Sequence, residues 1–169
     1  MAGGSKARSA GPASPAAVST TLVLDNGGST IKAGFVTPDT DTNIEKPRVI
    51  PNCIVRDRHK KVYVGSEFDK CKDFSEISFR RPVEKGYIVN WEAQKEIWDR
   101  EFFDDKAPQK CDPSTTRLIL AEQPNALPAL QTHCDQIVFE QFGFASYYRG
   151  VGGLPPPCCL GQHVLQLTC

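Results

Sequence analysis

Apolar and polar positions near the start of the chain predict two short strands joined by a tight turn. Residues 21–25 and 31–36 are apolar runs, and small residues separate them. The Asn26-Gly27 pair between the runs is typical of a two-residue hairpin turn, because both turn positions favour φ > 0. The pattern therefore predicts an opening β-hairpin.

The next hydrophobic runs are shorter and predict a set of small strands. Residues 37–46 are polar and predict a loop. Residues 48–55 indicate one or two strands that Pro51 interrupts, and residues 61–65 indicate another. The basic run at residues 56–60 lies between them and is typical of a solvated tight turn.

Helical periodicity dominates the middle of the chain. A helix is predicted from Trp91 to about Phe103, with Asn90 as its N-cap. Its apolar stripe is more typical of a core than of a ligand cage. The positions on that stripe are Trp91, Gln94, Trp98 and Phe102.

A second strand-and-helix pair follows. The apolar run at residues 117–121 is bounded by polar residues, as expected of a strand buried on both faces. Helical spacing then runs from Leu127 to Phe142, and Gly143 stands where a C-cap glycine belongs. Cys134 falls on that apolar stripe and is interpreted as a small core residue. Hairpin, strands, helix, buried strand and helix together predict an α/β layer fold.

Composition predicts irregular ends. Residues 1–20 are rich in Ala, Gly, Ser and Pro and have little to bury, so a disordered tail is expected. Residues 150–169 hold a Gly/Pro-rich stretch and are interpreted as an irregular, non-native tail, with a truncated or frameshifted product as the hypothesis. The ordered part is expected to span residues 21–149.

Charge and cysteine content exclude several classes of function. Lys+Arg and Asp+Glu are both 20, so no field for direct nucleic-acid binding is expected. No apolar stretch approaches a membrane span. The seven cysteines and three histidines stand in no metal-ligand spacing, so no metal site is expected.

The opening hairpin is the main candidate for chemistry. A tight turn of small residues can point several backbone N–H groups into one concavity that suits phosphate oxygens. Asp25 at the strand end could hold a metal ion through water, and Lys32 could reach phosphate charge. A hairpin that merely turns would carry the same residues, so both readings stay open on these residues alone.

Several motifs in one order resemble the actin superfamily. They begin with a segment similar to the first phosphate loop of actin and continue through its small subdomain and first long helix. The similarity covers residues 21 to about 149. The motifs are residues 25–35, 63–67, 81–91, 118–124 and 137–142.

Two segments resemble one branch of this family more narrowly, the actin-related protein 6 group. They are residues 77–82 and residues 127–136. The resemblance implies an incomplete first lobe of an actin-like, ribonuclease-H-like α/β fold, with residues 51–79 as a small inserted subdomain. It also implies a subunit of a SWR1-type chromatin remodeller, which exchanges histone H2A for H2A.Z.

The resemblance implies a vestigial phosphate loop and no catalytic residue. The resemblance implies that actin's water-positioning glutamine would fall near Gly152, where this chain has no glutamine, and the second phosphate loop of the family does not occur in this chain. No cofactor is therefore expected for this chain, whereas ATP with magnesium remains open for a full-length parent. The phosphate-loop residues implied are Asp25, Asn26, Gly27, Gly28, Ser29, Thr30 and Lys32.

The expected function is that of a non-catalytic docking module. Only two residues separate His59 from Val62, where actin inserts a filament-contacting loop, so actin-like filaments are not expected. Expected partners are other remodeller subunits, with indirect contact to nucleosomes and none to membranes. The nucleus is the expected location, with the cytoplasm as a second one. Open alternatives are an ATP-dependent enzyme or chaperone of the actin/Hsp70/sugar-kinase superfamily, a filament-forming actin, and a truncated product without independent function.

Overall fold

The computed structural model describes residues 20–37 and 47–151. Two main helices, α1 (Trp91–Trp98) and α2 (Pro128–Gln136), each continue into π-helical turns, Asp99–Phe103 and Ile137–Phe142. Short 3-10 turns form at Gly65–Lys70 and Pro113–Thr115. The strands are β1 (Thr20–Asn26), β2 (Thr30–Val36), β3 (Arg48–Pro51), β4 (Ile54–Arg56), β5 (Val62–Val64), β6 (Ser78–Arg80), β7 (Val83–Glu84), β8 (Tyr87–Ile88), β9 (Thr116–Glu122) and β10 (Ser146–Val151).

A five-stranded mixed sheet forms the centre, in the order β10-β9-β1-β2-β3. The predicted hairpin forms its antiparallel part, whereas β9 and β10 run parallel to β1, as helical crossovers permit. Alternation along β9 explains its burial on both faces: Leu118 and Leu120 face the main core with α1 and α2, and Ile119 faces a smaller cluster. The strand predicted at residues 117–121 is thus confirmed.

The sheet extends further at both ends of the described chain than expected. Gly150 and Val151 lie in β10, where they pair with Ala121 and Glu122 of β9. Thr20, assigned to a disordered tail, lies in β1. Parallel pairing uses backbone groups of any residue except proline, so glycine does not end the strand here. The predicted limits of the ordered part, residues 21 and 149, are therefore corrected to include Thr20, Gly150 and Val151, and strand β10 was not predicted. Residues 1–19 and 152–169 lie outside the described chain.

Both predicted helices are confirmed, together with their end signals. Asn90 caps α1, since its side chain accepts a hydrogen bond from the Ala93 N–H at 3.0 Å. Pro128 opens α2, and Gly143 closes its extension at φ 71° in the left-handed region. Cys134 on α2 is buried, as interpreted from its position on the apolar stripe. Among the described helices, none has the length and apolar character needed to cross a membrane.

The left-handed turn lies at a different hairpin from the one predicted. Lys85 and Gly86, between β7 and β8, have φ of 52° and 87°. Asn26 and Gly27 are not among the residues with positive φ. Asn26 remains in β1 because its side chain is bonded in the core, so the first hairpin turns at Gly28 and Ser29. The predicted turn at Asn26-Gly27 is therefore wrong, although the hairpin itself is confirmed.

A second, three-stranded sheet covers Ile54 to Arg80 in the order β5-β4-β6. Its β4–β5 connection is the tight turn expected from the basic run. The buried Asp57 carboxylate accepts hydrogen bonds from the N–H groups of His59 and Lys61, both at 2.9 Å. Five connecting residues therefore form a compact turn that its own aspartate closes.

The buried carboxylate of Glu101, in the π-helical extension of α1, bonds to β3 of the central sheet and to the 3-10 turn that follows β5. Glu101, 2% exposed, accepts from the Ser66 N–H at 2.7 Å and from Arg48 at 2.8 Å. Its carboxylate lies so close to the backbone that a Cβ added at Gly65 would approach Oε1 to 2.5 Å. Gly65 also has φ 55°, so two independent constraints require glycine there.

Candidate functional site

The hairpin brings the two charged candidates directly opposite each other. Asp25 on β1 pairs in register with Lys32 on β2, and Nζ lies 3.1 Å from Oδ2. Both side chains are about one-third exposed, at 31% and 37%. Lys32 therefore has a carboxylate partner within the hairpin, and an incoming phosphate would compete with that carboxylate for the ammonium group.

The loop between the two strands is held from outside by two other segments. Arg81 donates to the Gly28 carbonyl and to Ser29 Oγ, both at 3.3 Å. The Asn52 N–H donates to the Ser29 carbonyl at 2.9 Å. Gly27 donates its own N–H to the Thr30 carbonyl at 3.1 Å. The loop is thus a fixed feature, with one of its N–H groups already used within it.

No residue from Asn26 to Thr30 adopts the left-handed region, which an N–H concavity of the alternating right- and left-handed kind requires. Glycine is still needed at one position. A Cβ added at Gly27 would lie 2.8 Å from the Thr30 carbonyl oxygen. The small residues therefore serve close backbone packing in this conformation.

Behind the loop lies a buried amide network that sequence reasoning did not find. Asn26 donates to Gln94 Oε1 at 2.8 Å, and Trp98 donates its indole N–H to Asn26 Oδ1 at 3.1 Å. Gln94 Nε2 donates to Asn52 Oδ1 at 3.1 Å, and Asn52 Nδ2 donates to the Gly27 carbonyl at 2.8 Å. The network links β1, the chain after β3 and α1 to the loop.

This network changes the role of two residues. Asn26, expected as a turn and phosphate residue, is 8% exposed and occupied by core partners. Gln94, expected as one of the core positions, is fully buried and is the hub of the polar bonds. The available signal was a glutamine on the apolar face of a predicted helix, because a buried amide needs partners.

A small cavity adjoins Asn26 at the carboxyl ends of β1 and β9. Its volume is about 40 Å³, with Trp91, Glu122 and Cys134 among the lining residues. That space suits a few ordered waters, each of which needs roughly 10–15 Å³. Burial raises the pKa of the Cys134 thiol to about 11, so this thiol is protonated at neutral pH. The cavity is therefore too small to hold a nucleotide, and it contains no thiolate at neutral pH.

Comparison with known proteins decides the family. The family model described as "Actin" matches residues 16–154. The chain belongs to the actin family. This actin-family chain therefore has the fold class expected from its motifs, an incomplete α/β actin-like first lobe.

Similar proteins place the chain more narrowly. It is 75% identical over 150 residues to "Actin-related protein 6" of Neurospora crassa, covering 89% of this chain and 32% of that protein. It is 46% identical over 143 residues to "Actin-like protein arp6" of Aspergillus fumigatus, covering 78% and 31%. It is 35% identical over 132 residues to "Actin-like protein C08B11.6" of Caenorhabditis elegans, covering 77% and 29%. The resemblance to the actin-related protein 6 branch is confirmed.

The coverage limits how much of the actin-like site this chain contains. The chain spans about a third of the length of the curated relatives it matches. Gly152, where actin's glutamine was expected to be replaced, lies outside the described residues. Within them, the candidate loop residues are together on one hairpin, and the structure adds Arg81 and Asn52 as its anchors.

Proposed function

We propose that this actin-family chain belongs to a non-catalytic subunit of a SWR1-type chromatin remodeller that exchanges histone H2A for H2A.Z. The observation that carries the proposal is the 75% identity to "Actin-related protein 6" of Neurospora crassa over most of the chain. In this role the chain is a structural docking module in the nucleus, with a second pool in the cytoplasm. Its partners are other remodeller subunits, and its contact with nucleosomes is indirect.

The geometry of the hairpin supports a structural role. Lys32 is paired with Asp25, and Asn26 is engaged in the core, so the side chains expected for nucleotide have partners within the protein. Both charges are accessible to solvent, where a single ion pair with phosphate is worth at most about 1 kcal/mol. We therefore propose that this chain alone binds no ATP and catalyses no hydrolysis, and that a full-length parent is the form in which Mg-ATP could bind.

The compact β4–β5 turn supports the absence of filaments. Asp57 closes this turn through His59 and Lys61. In actin a longer loop at this place makes filament contacts. We propose that a parent protein with this turn remains unpolymerised, which sedimentation with magnesium and salt tests directly; a pellet would favour a cytoskeletal role.

Affinity purification tests the main proposal. The full-length parent, tagged and expressed at its native level, is expected to recover remodeller subunits and H2A.Z, and the tagged protein is expected to concentrate in nuclei. A tagged conventional actin serves as the control for abundant background. Recovery of cytoskeletal proteins without remodeller subunits would refute the proposal. Calorimetry on the purified chain with Mg-ATP tests the nucleotide statement separately, and tight binding would contradict it.

A further inference from the structure

The outer edge of the small sheet has the features of a peptide-binding surface. In the order β5-β4-β6, strand β6 (Ser78–Arg80) pairs with β4 on one side, and within the described residues no strand pairs on its other side. All three residues of β6 are exposed. An exposed edge of this kind presents backbone N–H and C=O groups that can pair with an added strand.

We propose that the edge of β6 binds an extended acidic segment of a partner protein by strand addition, seated against Phe74 and Phe79. The proposal builds on the docking role above and names a surface and a partner chemistry for it. The surface is called the β6 edge below and consists of Ser78–Arg80 with Phe74 and Arg56.

One face of the β6 edge offers an aromatic seat. Phe68 contacts both Phe74 and Phe79 edge-on, with ring centroids 5.8 and 5.7 Å apart. Phe74 is 58% exposed and Phe79 43% exposed, whereas Phe68 packs on the buried core of the small sheet. Two half-exposed rings supported by a third make an ordered apolar surface, the kind on which partner side chains anchor.

The opposite face carries two arginines, Arg56 and Arg80, beside two glutamates of α1, Glu92 and Glu96. Ser78 is the register partner of Arg56, so their side chains lie on the same face of the sheet. Arg80 lies two residues further along β6 and therefore shares that face. Arg56, Arg80 and Glu96 of α1 line a groove of about 300 Å³. Arg56 is exposed, and Arg80 pairs with Glu92, a carboxylate that is 84% exposed and therefore readily exchanged.

Charge complementarity selects the occupant. Basic side chains outnumber acidic ones between Ile54 and Arg81, although the whole chain is neutral. Arg81 also lies over the Phe79 ring, 5.4 Å from its centroid. An added strand would alternate its side chains between the two faces. The fitting segment therefore places apolar residues toward Phe74 and Phe79 and acidic residues toward Arg56 and Arg80.

The direct test is fluorescence anisotropy on the purified full chain. The probe is a short fluorescein-labelled peptide in which glutamate alternates with valine around a central phenylalanine. Two further probes carry backbone N-methyl groups at every second residue. One is methylated at the odd-numbered positions of the peptide and the other at the even-numbered positions. Strand addition uses the N–H groups of alternate residues, so one N-methylated probe is expected to bind about tenfold more weakly and the other nearly as well as the parent probe.

Matched variants of the chain locate the site. Phe74→Ala is expected to weaken binding about tenfold, while Leu127→Ala, another exposed apolar residue at 63%, leaves it unchanged. Arg56→Glu is expected to weaken binding and reduce its salt dependence, while Lys106→Glu, an exposed charge that is not part of the β6 edge, has no effect. Circular dichroism verifies that each variant is folded.

Three outcomes would overturn the proposal. They are equal binding of both N-methylated probes, equal binding of a probe with lysine in place of glutamate, and displacement of the probe by oligothymidylate that depends on Phe74. The last outcome would indicate a single-stranded nucleic-acid surface, since bases also stack on exposed aromatic rings. Probe binding without remodeller subunits in the purification would support this inference and refute only the proposed complex. Recovery of remodeller subunits without binding of the probe would refute this inference and leave the proposed complex supported.

Discussion

Replacing Gln94 by leucine tests whether the buried amide network holds the hairpin to α1. Gln94→Leu keeps a side chain of similar volume and removes both polar atoms. Gln94 Oε1 accepts from Asn26 at 2.8 Å, and its Nε2 donates to Asn52 Oδ1 at 3.1 Å. After the change the Asn26 Nδ2 and the Asn52 Oδ1 remain buried without these partners.

The expected loss follows from those two orphaned groups. A buried polar group without a partner costs about 1–3 kcal/mol, so Gln94→Leu is expected to lower the free energy of unfolding by about 2–6 kcal/mol. Asn26 keeps its bond from Trp98, and Asn52 keeps its bond to the Gly27 carbonyl. These remaining bonds use the other polar atom of each amide, Asn26 Oδ1 and Asn52 Nδ2, so they do not reduce the cost of the two orphaned atoms. Because the total free energy of unfolding of a domain is about 5–15 kcal/mol, a loss of this size should bring the variant close to unfolding.

Urea denaturation followed by circular dichroism measures this loss. Gln136→Leu on the exposed face of α2 is the matched control and is expected to stay within about 0.5 kcal/mol of the parent. The double variant Gln94→Leu with Asn52→Leu is expected to cost less than the sum of the single changes, because both members of one bond are removed together. Equal stability of Gln94→Leu and Gln136→Leu, or strict additivity in the double variant, would refute the reasoning.

Three further predictions follow from local features. Asn90→Ala removes the cap bond to Ala93 and is expected to cost about 1 kcal/mol in urea unfolding; an unchanged midpoint would show that the cap contributes nothing. Gly65→Ala, which places a Cβ against the Glu101 carboxylate at positive φ, is expected to cost about 1–3 kcal/mol in the same assay, and a neutral result would contradict that geometry. Burial raises the pKa of the Cys134 thiol from 9.0 to about 11, so the folded chain holds this proton more tightly than the unfolded chain. The resulting stabilisation is present below pH 9 and lost as the pH rises toward 11, and Cys134→Ala should flatten this decline in pH-dependent unfolding.

The elements with strong local signals were predictable from sequence. The helix that starts at Trp91 carries its own cap at Asn90, and Gly143 ends the second helix as expected. Strand β9 was recognisable because its apolar residues are consecutive. Strand β10 was not found, because it holds only a short run of two tyrosines and an arginine before Gly150. The pairing of β10 depends on β9, which is distant in sequence.

The sequence predicted where the candidate site lies in the chain, but it did not predict which side chains and backbone groups contact each other there. The motif identified the hairpin and placed Asp25 and Lys32 on its two strands, and antiparallel register then put them opposite each other. The bonds from Arg81 and Asn52 to the loop join segments that are far apart in the chain. No local pattern encodes such contacts.

The sequence by itself determined the family, both helices, strand β9 and the opening hairpin with its small residues, because these depend on side-chain periodicity and on neighbouring positions. Only the tertiary structure decided what the hairpin residues do. Asn26 lies within reach of Gln94 and Trp98, and the desolvated amide requires those partners, so it remains in the strand. The turn therefore moves to Gly28 and Ser29, and packing outweighs the intrinsic preference of Asn-Gly for a left-handed turn.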